Sequence, residues 1–218
     1  MISFNIASIP TRLDMLVNTV HSIIDQVDVV NICLNKYWFN PFVGYKKVNV
    51  IFSDNKLGDA GKFKFMDGFN GYYFTGDDDI IYPDTYIKDT IKELENYKIV
   101  TYHGRTFLHY PINSYYKTPA VRNRCLSKYE YTEPVHIGGT GVMAFHTKDF
   151  NFKYDIFKKS NMSDIWVSCE AKKQGIKIWG LKHSDNYFEY QHPEETIYND
   201  KVLNCDYETS VVNQYFCK

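Results

Sequence analysis

The sequence predicts an α/β fold, with a mostly parallel central sheet flanked by helices and a less regular C-terminal half. Three observations predict it. Apolar β-rich runs alternate with helix-period segments through the first hundred residues, the pattern of βαβ units. Several of these runs end in polar residues, as strands do when their carboxyl ends line a ligand crevice. One apolar, aromatic run, Tyr72-Tyr73-Phe74-Thr75, leads straight into Gly76-Asp77-Asp78-Asp79.

Taken in order, residues 2–9 form a first strand that stops at Pro10, with Thr11 as a plausible cap. Leu13, Leu16, Val17, Val20, Ile23 and Ile24 then recur at helical spacing. Residues 27–34 are the next strand, residues 36–47 an aromatic loop with Pro41 and Gly44, and residues 48–52 a third strand ending at Ser53-Asp54-Asn55. Gly58-Asp59-Ala60-Gly61 reads as a turn or helix start and residues 62–69 as a short helix. A fourth strand over 72–75 is followed by a helix over 83–97 with Ile87, Ile91 and Leu94 facing inward.

Residues 98–102 continue as a strand, and 107–133 read as a long Tyr-, Pro- and Lys/Arg-containing excursion. The basic stretch 117–128 within it reads best as a solvated face. Ile137-Gly138-Gly139-Thr140-Gly141 precedes a strand over 142–145, residues 163–173 form an amphipathic helix, and 176–181 a last strand. The polar, aromatic tail beyond His183 is expected to wrap the surface. No repeat or linker is visible, so one domain over 1–218 is expected, with a nucleotide-binding half (1–100) and an acceptor-binding half (101–218).

Composition narrows the function. A net charge of −1 argues against a nucleic-acid binder held by bulk positive charge. Aromatic residues make up 17% of the chain, enough to supply core strands and, in part, a sugar or base pocket. The five cysteines contain no CxxC pair, which indicates neither a disulfide framework nor a zinc site. No apolar stretch reaches the roughly 20 residues that span a bilayer, and no signal peptide is visible, so a cytoplasmic protein is expected.

The three carboxylates of Asp77, Asp78 and Asp79 are the strongest chemical signal. Aspartate disfavours strands and is costly to bury unpaired. A helix cap explains one carboxylate but not three. A divalent cation explains them better, because hard cations such as Mn²⁺ or Mg²⁺ take one or two carboxylates plus substrate phosphates. Asp54 fits either a ribose or base contact or an Asx turn. Gly58 to Lys62 fits either a diphosphate cradle with Lys62 or a glycine-bounded turn; its spacing is not that of a Walker motif. Gly138 and Gly139 permit close backbone approach to a ligand, or only a turn. Asp164, beside Ser163 at a helix start, serves either as a general base or as a favourable charge at the helix dipole. His183 follows a late strand and is either a metal ligand completing a site with Asp77 and Asp79 or an exposed histidine.

Together these residues resemble the nucleotide-sugar-dependent glycosyltransferases of the GT-A fold. The resemblance covers residues 2–192 and is strongest in the DXD-like Gly76-Asp77-Asp78-Asp79. It implies a Rossmann-like fold and an Mn²⁺ (or Mg²⁺) ion on Asp77 and Asp79 that bridges the diphosphate of a UDP-sugar. It also implies nucleotide-sugar contacts from Pro10, Thr11, Arg12, Asp54, Lys62, Asp77, Asp78, Gly138 and Gly139, and Asp164 as the base of an inverting transfer to a glycan or glycoprotein hydroxyl. Inverting members often carry Glu-Asp where this chain has Ser163-Asp164. The compact length and Asn-, Lys- and Tyr-rich character are also similar to transferase domains of chlorella-virus enzymes that glycosylate capsid protein. Two other classes use comparable acidic strand ends: a metal-dependent nucleotidyltransferase, which releases pyrophosphate, and a carbohydrate- or calcium-binding module, which needs no nucleotide.

Overall fold

The computed structural model describes residues 1–193 and 204–217. The elements follow in the order β1 (Ile2–Ser8), α1 (Leu13–Ile23), β2 (Val29–Asn35), β3 (Val48–Ser53), β4 (Tyr72–Gly76), β5 (Ile80–Ile81), α2 (Tyr86–Leu94), β6 (Ile99–Thr101), β7 (Gly104–Phe107), β8 (Ala120–Asn123), β9 (Glu133–Val135), β10 (Ile137–Gly138), β11 (Val142–His146), α3 (Ser163–Lys173), β12 (Ile178–Gly180), β13 (Glu189–Tyr190) and α4 (Asp206–Phe216). No helix among the described residues is long and apolar enough to cross a membrane.

Eight strands form one sheet in the order β3-β2-β1-β4-β11-β6-β12-β9. The pairs β3–β2, β2–β1, β1–β4 and β6–β12 are parallel, and β11 runs antiparallel to both β4 and β6. Strands from both ends of the chain therefore interleave, because β11 inserts between β4 and β6. Register across β1, β2 and β3 is pinned by an asparagine ladder. Asn31 donates to Asn5 (2.8 Å) and Asn49 to Asn31 (3.2 Å), and Asn5 donates to the Phe74 carbonyl (2.8 Å). Buried amides satisfied in this way favour one register, since a slip would strand them without partners.

Alternation along the strands divides the core between two faces. Phe4, Ile6, Ile32 and Phe74 pack against Leu16, Val20 and Ile23 of α1 and Tyr86 and Ile87 of α2. On the other face, Tyr73, Met143 and Phe145 pack against Ile165 and Val167 of α3 and Val211 and Val212 of α4. The high aromatic share goes largely into this core, as in the stacked Tyr73–Phe145 pair at 5.5 Å.

Three segments differ from the sequence expectations. Residues 62–69 are not a helix; a short tight helical turn, Gly58–Phe63, is followed by further turns. Gly68 adopts a left-handed φ of 73°, which a continuing helix over 62–69 would not allow. The 107–133 excursion carries strand β8, which pairs with β7 in a small second sheet. The tail beyond His183 does more than wrap the surface. β13 pairs with β5, and α4 buries Val211 and Val212 against α3. All five cysteines are free thiols.

Candidate active site

The carboxyl ends of the parallel strands β1, β2, β4 and β6 open into one cavity of about 670 Å³, within the range of small-molecule sites. β1 contributes Ser8 and Ile9, with Arg12 beyond them; β2 contributes Asn35, β4 contributes Asp77, and His103 follows β6. β11 runs the other way, so its amino end brings Gly139, Thr140 and Gly141 to the same edge.

Pairing of Gly76 with Val142 sets the acidic segment beside the glycine loop. A Cβ at Gly141 would lie 2.1 Å from Asp77 Oδ2, so only glycine lets this carboxylate settle against the backbone. Tyr82 fastens the junction. Its hydroxyl donates to the Gly141 carbonyl (2.6 Å) and accepts from the Asp77 N–H (3.0 Å). Tyr82→Phe keeps the ring and leaves both backbone groups without that partner. We expect a loss of about 2 kcal/mol, read as a lower urea midpoint, together with weakened binding of whatever Asp77 holds. An unchanged midpoint and unchanged ligand affinity would show that the hydroxyl does not fasten the junction.

Two cations face the three carboxylates. The Lys62 ammonium, buried to 1% exposure, lies 2.5 Å from Asp77 Oδ1. Arg12 bonds Asp78 Oδ1 at 2.8 Å and Asp79 Oδ2 at 3.1 Å. Burial raises the Asp77 pKa, but Lys62 and Arg12 more than offset it and leave this carboxyl below its usual range. Asp79 behaves oppositely: burial first, then Asp77 and Asp78, push it up to about 7. Side-chain exposure separates the roles. Asp77 shows 45% of its side chain to the cavity and Asp79 12%, while Asp78 shows 5% and sits under Arg12.

Asp164 stands in the first turn of α3 and lines the same cavity. Thr140 holds its Oδ1 twice, through its backbone N–H and its hydroxyl, each at 2.7 Å. Asp77 and Asp164 thus both rest on the short run Thr140-Gly141, which fixes the spatial relation between the acidic segment and the helix start.

Several sequence expectations are corrected. Asp54 does not line the cavity. It follows β3, the edge strand two removed from β1, and pairs with Lys56 at 2.7 Å in solvent. Pro10 and Thr11 are exposed and only Arg12 of that trio lines the cavity. Gly138 is buried in β10, donating to Ser168 Oγ at 3.0 Å, whereas Gly139 does reach the cavity. His183 lies outside the cavity. Its Nδ1 and Nε2 face the carbonyls of Leu181 (3.0 Å) and Arg124 (3.1 Å), which leaves no ring nitrogen for a metal.

The structure also places residues at the site that sequence reasoning did not weigh: Asp59, His103, Tyr115, Tyr116, Tyr190 and Glu208. Asp59 and His103 had a signal, the first in the glycine-bounded turn and the second just past a parallel strand. The others come from the 107–133 excursion and the tail, where no periodicity marks a lining position.

The fold has a solved relative. It is similar to that of S. aureus TarS residues 1–349, determined in complex with UDP-GlcNAc, with a TM-score of 0.58 and 11% sequence identity, covering 100% of this chain and 72% of that one. The chain has a glycosyltransferase fold. No protein-family model and no curated protein sequence matches the chain. At 11% identity the likeness establishes the architecture alone.

Proposed function

We propose that this protein is a glycosyltransferase that uses a nucleotide diphosphate sugar, with a UDP-sugar as the first candidate donor. One observation supports the reading above the rest: Asp77, Asp79, Lys62 and Asp164 line a single cavity at the carboxyl edge of the sheet. That edge is where open α/β sheets bind ligands. The shared architecture with a protein solved with UDP-GlcNAc favours uridine among the nucleotides.

The donor set suits a divalent ion that the substrate helps to bind. Among the described residues no three His, Cys, Asp or Glu side chains are grouped to hold a metal alone. Two carboxylates plus phosphate oxygens are nevertheless the usual complement for Mg²⁺ or Mn²⁺. Three carboxylates against two cations, with Asp79 pushed to about 7, mark a missing positive charge. Asp77 and Asp79 would hold the ion, which when bound supplies Lewis-acid stabilisation of the leaving diphosphate.

The chain's own residues do the rest. Lys62 keeps Asp77 ionised and adds positive charge beside the diphosphate. Arg12 neutralises Asp78 and steadies Asp79. Asp164, held by Thr140 through Oδ1, has Oδ2 to take the proton of an acceptor hydroxyl, which gives displacement with inversion. Tyr116 and Tyr190 line the cavity and supply aromatic rings for a sugar acceptor, while Tyr115 is buried under the Arg105 guanidinium. The acceptor suggested by the likeness to chlorella-virus enzymes, a capsid glycan, rests on that likeness alone.

Thermal shifts with UDP, GDP, ADP and CDP, each with and without Mn²⁺, test the reading. A ligand at a hundredfold excess over its dissociation constant stabilises the native state by about 2.7 kcal/mol. The expected result is manganese-dependent stabilisation by UDP above the other three. Absence of stabilisation by any nucleotide would overturn the proposal in favour of a binding module.

A further inference from the structure

Asp59 and Asp164 are joined by a row of hydroxyls. Asp59 Oδ2 contacts Ser163 Oγ, Ser163 Oγ lies 2.7 Å from Thr140 Oγ1, and Thr140 Oγ1 lies 2.7 Å from Asp164 Oδ1. Each contact between two oxygens this close needs one hydrogen. Ser163 and Thr140 supply two hydrogens for three contacts. With both carboxylates ionised, one pair of oxygens would face each other with no hydrogen between them. The row is therefore complete only with one further proton, which resides on Asp59 or on Asp164.

The surroundings of the two carboxyls place it. Asp59 Oδ1 is buried with no hydrogen-bond partner, a costly position for half of a carboxylate and a cheaper one for the C=O of a neutral acid. Asp164 opens to the cavity, accepts a backbone N–H as well as the Thr140 hydroxyl, and stands in the first turn of an eleven-residue helix. Asp59 Oδ2 also accepts a backbone N–H, from Ser163 at 3.1 Å, so the difference between the two lies in the open cavity and helix start at Asp164 and the unpartnered buried oxygen of Asp59. We propose that Asp59 is a neutral acid in the resting protein and a positioning residue for Asp164. Its proton goes to Ser163 Oγ, Ser163 donates to Thr140, and Thr140 donates to Asp164 Oδ1, which holds Asp164 ionised with Oδ2 as the basic atom. The role assigned to Asp164 rests on the transferase reading; the direction of the row does not.

Other titratable groups face the pair. Lys62, from the same turn as Asp59, opposes the proton on Asp59, yet its ammonium is committed to Asp77 and makes no ion pair with Asp59 within 4 Å among the described residues. The charge of Asp59 also acts on the Tyr154 hydroxyl. The charge of Asp164 acts on His103, Tyr115, Tyr116, Cys125 and Lys62. Burial, the largest influence on Asp59, raises its pKa, which agrees with the proton count.

Carbon-13 NMR of the whole protein labelled at aspartate Cγ tests this without any substrate. Signals are assigned by their loss in Asp59→Asn and Asp164→Asn. The expected result is an Asp59 signal at the protonated-acid position at pH 7, and an Asp164 midpoint that Asp59→Asn leaves in place, because one neutral donor replaces another. The side-chain amide introduced by Asp59→Asn has the shape of the neutral acid, and its N–H donates to Ser163 Oγ as the acid proton does, so the row keeps its direction without a titrating group. Ser163→Ala provides a second route if Asp59→Asn does not fold. It breaks the row, leaving one hydroxyl for one contact, so the Asp59 midpoint falls while Asp164 holds. An Asp59 midpoint near the ordinary value of about 3.9, or an Asp164 midpoint lowered in Asp59→Asn as it would be by loss of a neighbouring negative charge, would overturn the proposal. Expected titrations with no sugar transfer from any donor would instead remove the transferase reading and leave the row standing.

Discussion

Asp79→Ala is expected to abolish manganese-dependent binding of the nucleoside diphosphate and to lower turnover by about 10²- to 10³-fold, the usual loss when one charge-stabilising group is removed. Asp79 is pushed to about 7, by burial first and by Asp77 and Asp78 next. Metal must therefore displace a proton from it near neutrality. Below pH 7 the apparent Mn²⁺ affinity of the wild type should fall about tenfold per pH unit; Asp79→Asn should lose both the affinity and this slope. Stability should show the opposite face of the same group. The native state binds the Asp79 proton more tightly than the unfolded chain, whose aspartates titrate near 3.9. The stability this lends is present below about pH 4 and is lost as pH rises through about 7. Without metal, Asp79→Asn should then be more stable than wild type at pH 8, measured by urea unfolding. An Asp79→Ala protein that keeps manganese-dependent UDP binding would remove Asp79 from the metal site.

Asp164→Asn is expected to leave donor binding unchanged while turnover falls about 10²- to 10⁴-fold, the range for a lost general base. The amide oxygen still accepts both Thr140 bonds, so the geometry of the α3 start survives and only basicity is removed. Losing the charge from the first helical turn costs a further 0.3–1 kcal/mol or so of stability, too little to unfold the protein. Donor affinity by calorimetry and turnover by product analysis separate the two effects. A turnover number equal to wild type would take the base role from Asp164, and with it the argument for inversion.

Much of the architecture was legible because the strands announce themselves. The runs containing Phe4 and Ile6, Ile32, and Phe74 are apolar and bounded by turn residues, and a helix-period segment separates the first two. The acidic segment was legible for the same reason, since three carboxylates at the end of an apolar strand conflict with local burial and call for a partner. The tail was not. α4 has little apolar periodicity beyond Val211 and Val212, and it is helical because α3 offers those residues a surface. Lys62 was identified as a charge near a diphosphate, but its near-complete burial against Asp77 depends on a turn the sequence suggested was a helix.

Strand-end position predicted site residues well only near the middle of the sheet. Asp54 ends a strand as Asp77 does, yet β3 is an edge strand and its end faces water beside Lys56. His183 follows a strand too, and its ring is consumed by the carbonyls of Leu181 and Arg124. Which strand is central is decided by pairing between segments far apart in the chain, and no local pattern carries that information.

By itself the sequence determined the alternation of strands and helices, the acidic end of β4, the glycine loop before β11 and the acidic start of α3, because each follows from local periodicity, turn chemistry or the cost of burying charge. Only the tertiary structure decided that β11 inserts antiparallel between β4 and β6. That single pairing sets Gly141 against Asp77, lets Thr140 hold Asp164, and brings Asp59 into the hydroxyl row through Ser163. The physical reason is distance along the chain. These partners are separated by 24 to 104 residues, and only the packing of the folded core offsets the entropy of bringing them together.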